Sequence, residues 1–488
     1  MKILLIAPCP ENEQRPNTMD IPQLTLSLIA GMTPPQHEVE ICEEVYGNKV
    51  NFDGDYDLIG ITLMTQTCIR GYAVANEFKK RGKIVVFGGI HATCLPEEAI
   101  QFGDAVVIGE AEGGLWEEVL EDAEKQKLKK FYKLENLPDL QKHIFPRRDL
   151  IKCSSGKLSV APIETTRGCP YNCDFCTVSR FFGTRQRHKT IKNIIAEAES
   201  CPQHYLFFLD DNITFDKKFA KELFKELIPL KKGWVGQASI NVAKDEELMK
   251  LAHKSGCRAL LIGFESMGEV GINQYRKSLK TLAENIQAVR KLQDNGILTM
   301  ASLIFGLDSD TQEVFDLGYE FLIKSKAAFF QACAMTPYPG TPVFEKLKNE
   351  GRILTDDWSK YDATKVIVSP LNMTPEKMLE RFDHIKNTIY STMSIFKRAL
   401  PNITLSFEQA IFYFALNRGY QSKNNPSLKT FIYKNPPGVP VDFDVHKYIP
   451  PVFEAASAPK INGESSGSVS NSPGGVVSYS QPTEGVSG

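Results

Sequence analysis

The sequence predicts an α/β protein in which two modules of alternating strands and helices follow one another. Short apolar runs that end at glycine or acidic residues are typical of buried parallel strands. The segments between them carry apolar residues at helical spacing, and the alternation occupies residues 1–125 and 158–365. The 488-residue chain is 42% apolar and 24% charged, as expected for a globular protein, and its net charge of −2 gives no indication of a nucleic acid partner.

Residues 1–125 have the pattern of a doubly wound sheet. The predicted strands cover 2–7, 39–42, 58–63, 84–87 and 105–108, and the predicted helices cover 21–32 and 71–81. The last two strands run into Gly88-Gly89 and Gly109-Glu110. Ligands bind a Rossmann-like sheet of this kind beyond the carboxyl ends of its strands, so these glycines are candidate ligand contacts.

The second module follows residues 126–157, which carry prolines and charges without periodicity and are predicted to form a linker. One strand is predicted before a cysteine-rich loop, and others are predicted at 205–209, 235–240, 259–264, 298–305 and 329–335. Helices are predicted at 189–199, 217–228, 245–254, 281–295 and 311–324, with Asp216 and Asp245 as N-caps. Polar residues or glycine lie at the carboxyl ends of the strands, where the active sites of β/α barrels form: Asp210, Asp211, Gln237, Glu265, Ser266 and Gly306.

The remaining chain is predicted to be helical over 366–450 and disordered over 451–488, which is rich in serine, glycine and proline. Helices are predicted at 375–396 and at 406–417. We expect the second, strongly apolar helix to pack in the core; a lid over an apolar substrate or a membrane-surface patch are the alternatives. The first apolar run, residues 1–7, is too short for a signal peptide, and no run reaches the ~20 residues that span a bilayer, so we expect a cytoplasmic protein.

Three cysteines, Cys169, Cys173 and Cys176, lie within eight residues after the first strand of the second module. A structural zinc site normally has four ligands, and iron–sulfur clusters usually take four cysteines. Three thiolates on a cluster of four irons would leave one iron open to an external ligand. Structural zinc, a non-catalytic iron–sulfur centre and reduced core thiols remain alternatives.

The Cys-x-x-x-Cys-x-x-Cys spacing, with Phe175 before the last cysteine, resembles the radical S-adenosylmethionine (SAM) superfamily. The resemblance implies a partial (β/α)6 barrel in which the three cysteines bind a 4Fe–4S cluster and SAM chelates the fourth iron. An electron from a donor such as flavodoxin or ferredoxin then cleaves SAM to methionine and a 5′-deoxyadenosyl radical. The resemblance further implies that the SAM contacts are Phe175, Asp210, Asp211, Gln237, Glu265, Ser266, Lys277 and Gly306, although Lys277 also fits a solvated surface lysine.

The first module resembles the cobalamin-binding domain that often precedes a radical SAM domain. The resemblance rests on Ile59-Gly-Ile-Thr-Leu-Met64, on Gly88-Gly-Ile-His91 and on Gly109-Glu110. It implies that the cobalamin contacts are Thr62, Met64, Gly88, Gly89, His91, Gly109 and Glu110. Many cobalamin proteins carry an Asp-x-His-x-x-Gly segment directly after the first strand. That segment is missing here, since no histidine precedes His37. Bound cobalamin would therefore lack that histidine ligand, and a domain that kept the fold and lost the cofactor would show the same departure.

Together the two resemblances imply an enzyme that takes a hydrogen atom from an unactivated carbon of a small molecule and transfers a methyl group to that carbon from methylcobalamin. A radical cyclisation, oxidation or rearrangement without methyl transfer is the alternative within the superfamily. A non-catalytic iron–sulfur or zinc protein is the alternative outside it. The aromatic C-terminal helix suggests an apolar substrate.

Overall fold

The computed structural model describes residues 1–9, 23–152, 160–269, 271, 281–399, 410, 413, 414, 417 and 418. These residues belong to one compact unit, Met1–Val452. Lys277, most of the helix predicted at 406–417 and the tail predicted at 451–488 lie outside the described residues.

The first module contains a six-stranded sheet. Its strands are β1 Lys2–Ala7, β2 Glu38–Glu43, β3 Leu58–Thr62, β4 Ile84–Gly88, β5 Ala105–Ile108 and β6 Phe131–Lys133. They are all parallel, in the order β2-β1-β3-β4-β5-β6, which confirms the doubly wound prediction. The three residues of β6 fall within the predicted linker, where so short a strand has no periodicity to reveal it.

Helices cover both faces of this sheet, which explains why its strands are apolar almost throughout. They are α1 Leu24–Met32, α2 Cys68–Lys80, α3 Ile90–Cys94, α4 Pro96–Ala99 and α5 Leu115–Glu124. Helices α1 and α5 pack on the face that carries Ile3 and Leu5, and α2 packs on the face that carries Leu4 and Ile6. Gly82, predicted to follow the end of α2, adopts φ +69° there.

The second module contains a second parallel sheet that is not closed. Its elements are β7 Val160–Ile163, β8 Thr166–Arg167, β9 Arg187–His188, β10 Tyr205–Phe208, β11 Gly233–Ala238, β12 Cys257–Glu265, β13 Leu298–Phe305 and β14 Phe329–Ala334. Six of these strands follow the order β7-β10-β11-β12-β13-β14, with β7 and β14 at the edges, and this confirms the partial (β/α)6 barrel. The short β8 and β9 form a separate antiparallel pair.

Helices alternate with these strands as predicted. They are α6 Val178–Phe181, α7 Ile191–Ser200, α8 Lys217–Leu227, α9 Glu246–Lys254, α10 Leu282–Asp294, α11 Glu313–Ser325 and α12 Pro342–Asn349. Asp216 and Asp245 cap α8 and α9 by accepting backbone N–H groups, which confirms both predicted N-caps.

The prediction of a single helix at 375–396 is wrong. The chain forms two helices there, α13 Pro375–Ile389 and α14 Thr392–Ala399. Between them, the Tyr390 hydroxyl bonds to the backbone of Phe330, and the Ser391 hydroxyl accepts the N–H of Ser394 and starts the second helix. Ile395 and Tyr413 pack against the first residues of β13 and β14. These residues therefore lie at the amino ends of the strands, as core packing predicts, and not over the carboxyl ends.

One of the apolar clusters contains residues of both modules. Trp358 packs in a single cluster with Ile61 and Phe87 of the first sheet, together with Phe344 and other residues that follow β14. The Trp358 indole N–H also donates to Glu98 of α4 at 3.2 Å. The division at 125/158 predicted from the sequence stays a prediction, since the chain after β14 returns to the first sheet. The helices in the described parts of the chain are each too short or too polar to cross a bilayer.

Candidate active site

The three predicted cluster ligands lie on a loop that is closed by the β8–β9 pair. Thr166 lies opposite His188 and Arg167 opposite Arg187, so residues 168–186 form the loop. Gly168 begins it with φ +91°, where a Cβ atom would collide with the carbonyl oxygen of Arg185. Only glycine fits this turn without strain, and it places Cys169 at the start of the loop.

The cysteine loop borders a cleft at the carboxyl ends of β10 to β13. Cys169 and Cys173 are buried and Cys176 is half-buried. The cleft is lined by Cys169, Tyr171, Asp211, Asn212, Gln237, Ala238, Ser239, Leu261, Gly263, Glu265 and Ser302. Three soft thiols on one loop fit three of the four positions of a 4Fe–4S cluster, and the polar lining fits a ligand that carries an amino acid group.

The adjacent carboxylates Asp210 and Asp211 have different surroundings. Asp210 is 1% exposed, and it accepts the backbone N–H of Thr165 at 3.2 Å and the hydroxyls of Thr165 and Thr166 at 2.6 Å each. Burial raises the pKa of Asp210 to about 6, although these hydrogen bonds oppose the shift. Asp211 lines the cleft. The geometry therefore favours Asp211 for contact with SAM, whereas Asp210 joins the end of β10 to the segment directly before the cysteine loop.

Glu265 lies at a strained point of the cleft. It has φ +64°, a left-handed conformation that costs a non-glycine residue about 1–2 kcal/mol. The strand register shifts between Gly263 and Glu265, and a side chain at Gly263 would collide with the Glu265 carboxylate. The bulge turns Glu265 into the cleft, as the predicted SAM contact requires.

Ser266 and Gly306 meet at a buried carboxylate that the sequence did not single out, Asp310. It accepts the backbone N–H groups of Gly306 and Leu307 at 2.9 and 3.0 Å, and it bonds to the Ser266 side chain. Burial raises the pKa of Asp310 to about 7. A Cβ atom on Gly306 would lie 2.6 Å from the Met378 side chain, so α13 covers this glycine. Asp310 thereby ties the ends of β12 and β13 together.

Two other predicted SAM contacts have distinct positions. Gln237 lines the cleft, whereas Phe175 packs against the apolar core that the two modules share. Tyr171, which the sequence did not indicate, lines the cleft with its hydroxyl 3.3 Å from the Asn241 amide and its ring edge-on to Phe215. Lys277 lies outside the described residues.

Glycines at the carboxyl end of the first sheet form a cradle. A Cβ atom on Gly88, Gly109 or Gly114 would meet nothing within 4 Å, so the backbone there borders open space. Gly89 has the opposite environment, because a Cβ atom on it would lie 2.7 Å from the Thr62 hydroxyl and from the Leu63 carbonyl. Met64, just beyond β3, is 41% exposed. This glycine cradle fits a large ligand that approaches the backbone closely.

The surroundings of His91 and Glu110 favour structural roles over the predicted contact with cobalamin. His91 is 1% exposed, with its Nε2 3.1 Å from Glu98, which also accepts the hydroxyl of Tyr72 and the indole N–H of Trp358. Its environment is that of a residue joining the first module to the chain after β14.

The Glu110 side chain is 2% exposed and forms ion pairs with Arg167 of β8 and Arg187 of β9, the strands that flank the cysteine loop. Arg167 also pairs with Glu112 at 2.6 Å and with Glu164 at 2.8 Å. Burial alone would lower the pKa of Arg167, but Glu164 and Glu112 raise it well above its usual value, so the guanidinium stays charged. The sequence could not pair Glu110 with arginines 57 and 77 positions away.

Known proteins match both modules of the chain. The radical SAM superfamily model matches residues 163–322, and the B12 binding domain model matches residues 20–117. Bacteriochlorophyllide d C-12(1)-methyltransferase of Chlorobaculum tepidum is 31% identical over 386 residues, which are 77% of this chain and 84% of that protein. The chain belongs to the radical SAM enzymes that carry a cobalamin-binding domain. Bacteriochlorophyllide d C-8(2)-methyltransferase of the same organism is 32% identical over 403 residues, 78% of this chain and 88% of that protein.

A solved structure supports the fold of this radical SAM enzyme. The radical SAM methyltransferase TsrM of Kitasatospora setae, solved with cobalamin and a 4Fe–4S cluster, aligns with a TM-score of 0.59 and 17% identity over 78% of this chain and 81% of that one. The cofactors of the enzyme are a 4Fe–4S cluster, SAM and cobalamin. The three thiols and the polar cleft fit the first two, and the glycine cradle fits the third.

Proposed function

We propose that this enzyme methylates an unactivated carbon of an apolar small molecule. The observation that carries the proposal is the proximity of the two cofactor sites. Arg167, directly before Gly168-Cys169, forms an ion pair at 2.5 Å with Glu110, directly after Gly109 of the cradle. Methyl transfer to a carbon that has just lost a hydrogen atom needs the two reacting groups in one enclosed site.

Named residues have specific tasks in this proposal. Cys169, Cys173 and Cys176 would hold a cluster that, when bound, supplies the electron for SAM cleavage. Asp211, Gln237 and Glu265 line the cleft and would accept hydrogen bonds from the ammonium and ribose hydroxyl groups of SAM.

On the other side of the site, Gly88 and Gly109 would let cobalamin lie against the backbone of the first sheet, where it supplies the methyl group. The relatives named for bacteriochlorophyllide d support an apolar small molecule as the substrate. One SAM supplies the hydrogen-abstracting radical and another the methyl group. Two electrons from a low-potential donor such as flavodoxin or ferredoxin balance each turnover.

The test is an anaerobic assay of the reconstituted enzyme with SAM labelled as CD3, titanium(III) citrate as reductant and bacteriochlorophyllide d as the probe substrate. We expect 5′-deoxyadenosine and S-adenosylhomocysteine in equal amounts, and a product that carries the CD3 group. C173S should lose the iron and lower 5′-deoxyadenosine formation at least about 100-fold, because one cluster ligand is missing. The matched control is C201A, since Cys201 is equally buried but lies outside the loop.

Two outcomes would count against the proposal. Zinc in place of iron in the reconstituted protein would remove the radical chemistry altogether. An altered bacteriochlorophyllide product that carries no CD3 group would indicate a cyclisation, oxidation or rearrangement instead of methyl transfer.

A further inference from the structure

The pair of short strands that closes the cysteine loop has a repulsion built into it. Arg167 and Arg187 lie directly opposite each other in the β8–β9 pair, which has only two residue pairs. Two like charges in cross-strand positions destabilise such a pair, and so short a ladder has few hydrogen bonds to oppose them. Both side chains are largely buried, at 6% and 15% exposed, so water screens the repulsion poorly.

Three carboxylates compensate this repulsion: Glu164 of the second module, which pairs with Arg167, and two residues of the first module. Glu110 binds both arginines with its two carboxylate oxygens, and Glu112 binds Arg167 on its other side. Arg187 further donates to the carbonyl of Pro138 at 2.9 Å. Glu110 directly follows Gly109, so its bonds connect the strand on each side of the cysteine loop to the glycine cradle.

We propose that Glu110 and its arginine partners are positioning residues that close the cysteine loop and hold it at a set distance from the glycine cradle. Without the Glu110 charge, the repulsion between Arg167 and Arg187 opens the β8–β9 pair, and the loop loses its fixed position. The catalytic role of this positioning rests on the proposed function, whereas closure of the loop itself requires no cofactor.

The test is amide hydrogen exchange of the full chain without cofactors, followed by mass spectrometry on peptides that cover residues 164–190. Two amides in this range report closure: Cys169 N–H donates to the Gly183 carbonyl at 3.3 Å, and Lys189 N–H donates to the Thr165 carbonyl at 2.9 Å. E110Q should speed exchange in these peptides at least about tenfold and leave β13 unchanged. The matched control is E118Q, because Glu118 pairs with Lys129 at an exposed site on α5.

A second substitution separates repulsion from simple loss of contacts. In E110Q/R187Q one of the two opposed charges is gone, so exchange should return to within about threefold of the wild type. Faster exchange in the double variant than in E110Q would overturn the proposal, and so would wild-type exchange in E110Q. If E110Q does not fold, E112Q keeps the test, with faster exchange in the same peptides expected and unchanged exchange contradicting it.

A third measurement connects closure to the cofactors. In the reconstituted enzyme, the magnetic interaction between cob(II)alamin and the reduced cluster reports their separation in electron paramagnetic resonance spectra. E110Q should broaden the distribution of this separation at unchanged iron and cobalt content, whereas an identical distribution would overturn the positioning role. Failure of the proposed function alone would leave the exchange result intact, because that experiment uses no cofactor.

Discussion

Replacing Asp210 by asparagine should change how the stability of the protein depends on pH. Asp210 is fully enclosed, and three donors from Thr165 and Thr166 surround its carboxylate. Its pKa is raised from 3.8 to about 6, with burial as the main cause. Asparagine has nearly the same shape but does not titrate, so the variant removes this contribution and little else.

The size of the effect follows from the shift in pKa. About two pKa units at 1.36 kcal/mol each amount to about 3 kcal/mol. Between pH 4 and pH 6, folded molecules keep a proton on Asp210 that unfolded chains have already released, so this group lowers the stability as the pH rises. The free energy of unfolding of D210N should therefore increase relative to that of the wild type, by about 2–3 kcal/mol between pH 4 and pH 7.

The assay is urea-induced unfolding of both proteins at pH 4, 5, 6 and 7, followed by circular dichroism. D211N is the matched control, because Asp211 lies one residue further on and lines the cleft. D211N should weaken SAM binding about tenfold, which corresponds to about 1.4 kcal/mol for a hydrogen bond to a charged group. A difference between D210N and wild type that stays constant with pH, or that changes in the opposite direction, would refute the reasoning.

Two further substitutions test the glycine cradle and the shared core. G109V should weaken cobalamin binding at least about tenfold in an absorbance titration, whereas G82V should not. Both glycines have positive φ and open space around them, so the two substitutions cause similar backbone strain. They differ in that only Gly109 lies in the glycine cradle. Equal affinity in the two variants would contradict the cradle. W358A should lower the free energy of unfolding by about 3–5 kcal/mol, because the Trp358 side chain is 1% exposed. A loss below about 1 kcal/mol in urea unfolding would show that the packing of the two modules does not depend on this side chain.

The order of elements and the two sheets were predictable because parallel strands buried on both faces have a strong local signal. Leu298–Phe305 and Ala105–Ile108 were predicted to the residue, since each is a predominantly apolar run that ends directly before a glycine. The helix break at Tyr390-Ser391 was missed because its cause, the bond from Tyr390 to Phe330, joins residues 60 positions apart. Local periodicity contains no information on such a contact.

The candidate site likewise combines residues that the sequence could predict with residues that only the structure reveals. The three cysteines share a short motif, and the cleft residues lie at strand ends, so both were accessible from the sequence. Asp210 and Asp211 are chemically identical, and only the position of Thr165 and Thr166 in space distinguishes them. Ser302 could have been found from the alternation in β13, where Met300, Ser302 and Ile304 are the partly exposed positions.

The common core of the first sheet and the segment after β14 limits how the molecule can admit its ligands. Swinging the two sheets apart as a hinge would bring Trp358 and Phe344, both at most 3% exposed, into contact with water. The two modules should therefore stay packed together throughout the reaction cycle. Local movements around the cleft would then admit the corrinoid, SAM and the substrate. An amino-terminal fragment cut before residue 158 would leave its own apolar surface uncovered and should aggregate when produced alone.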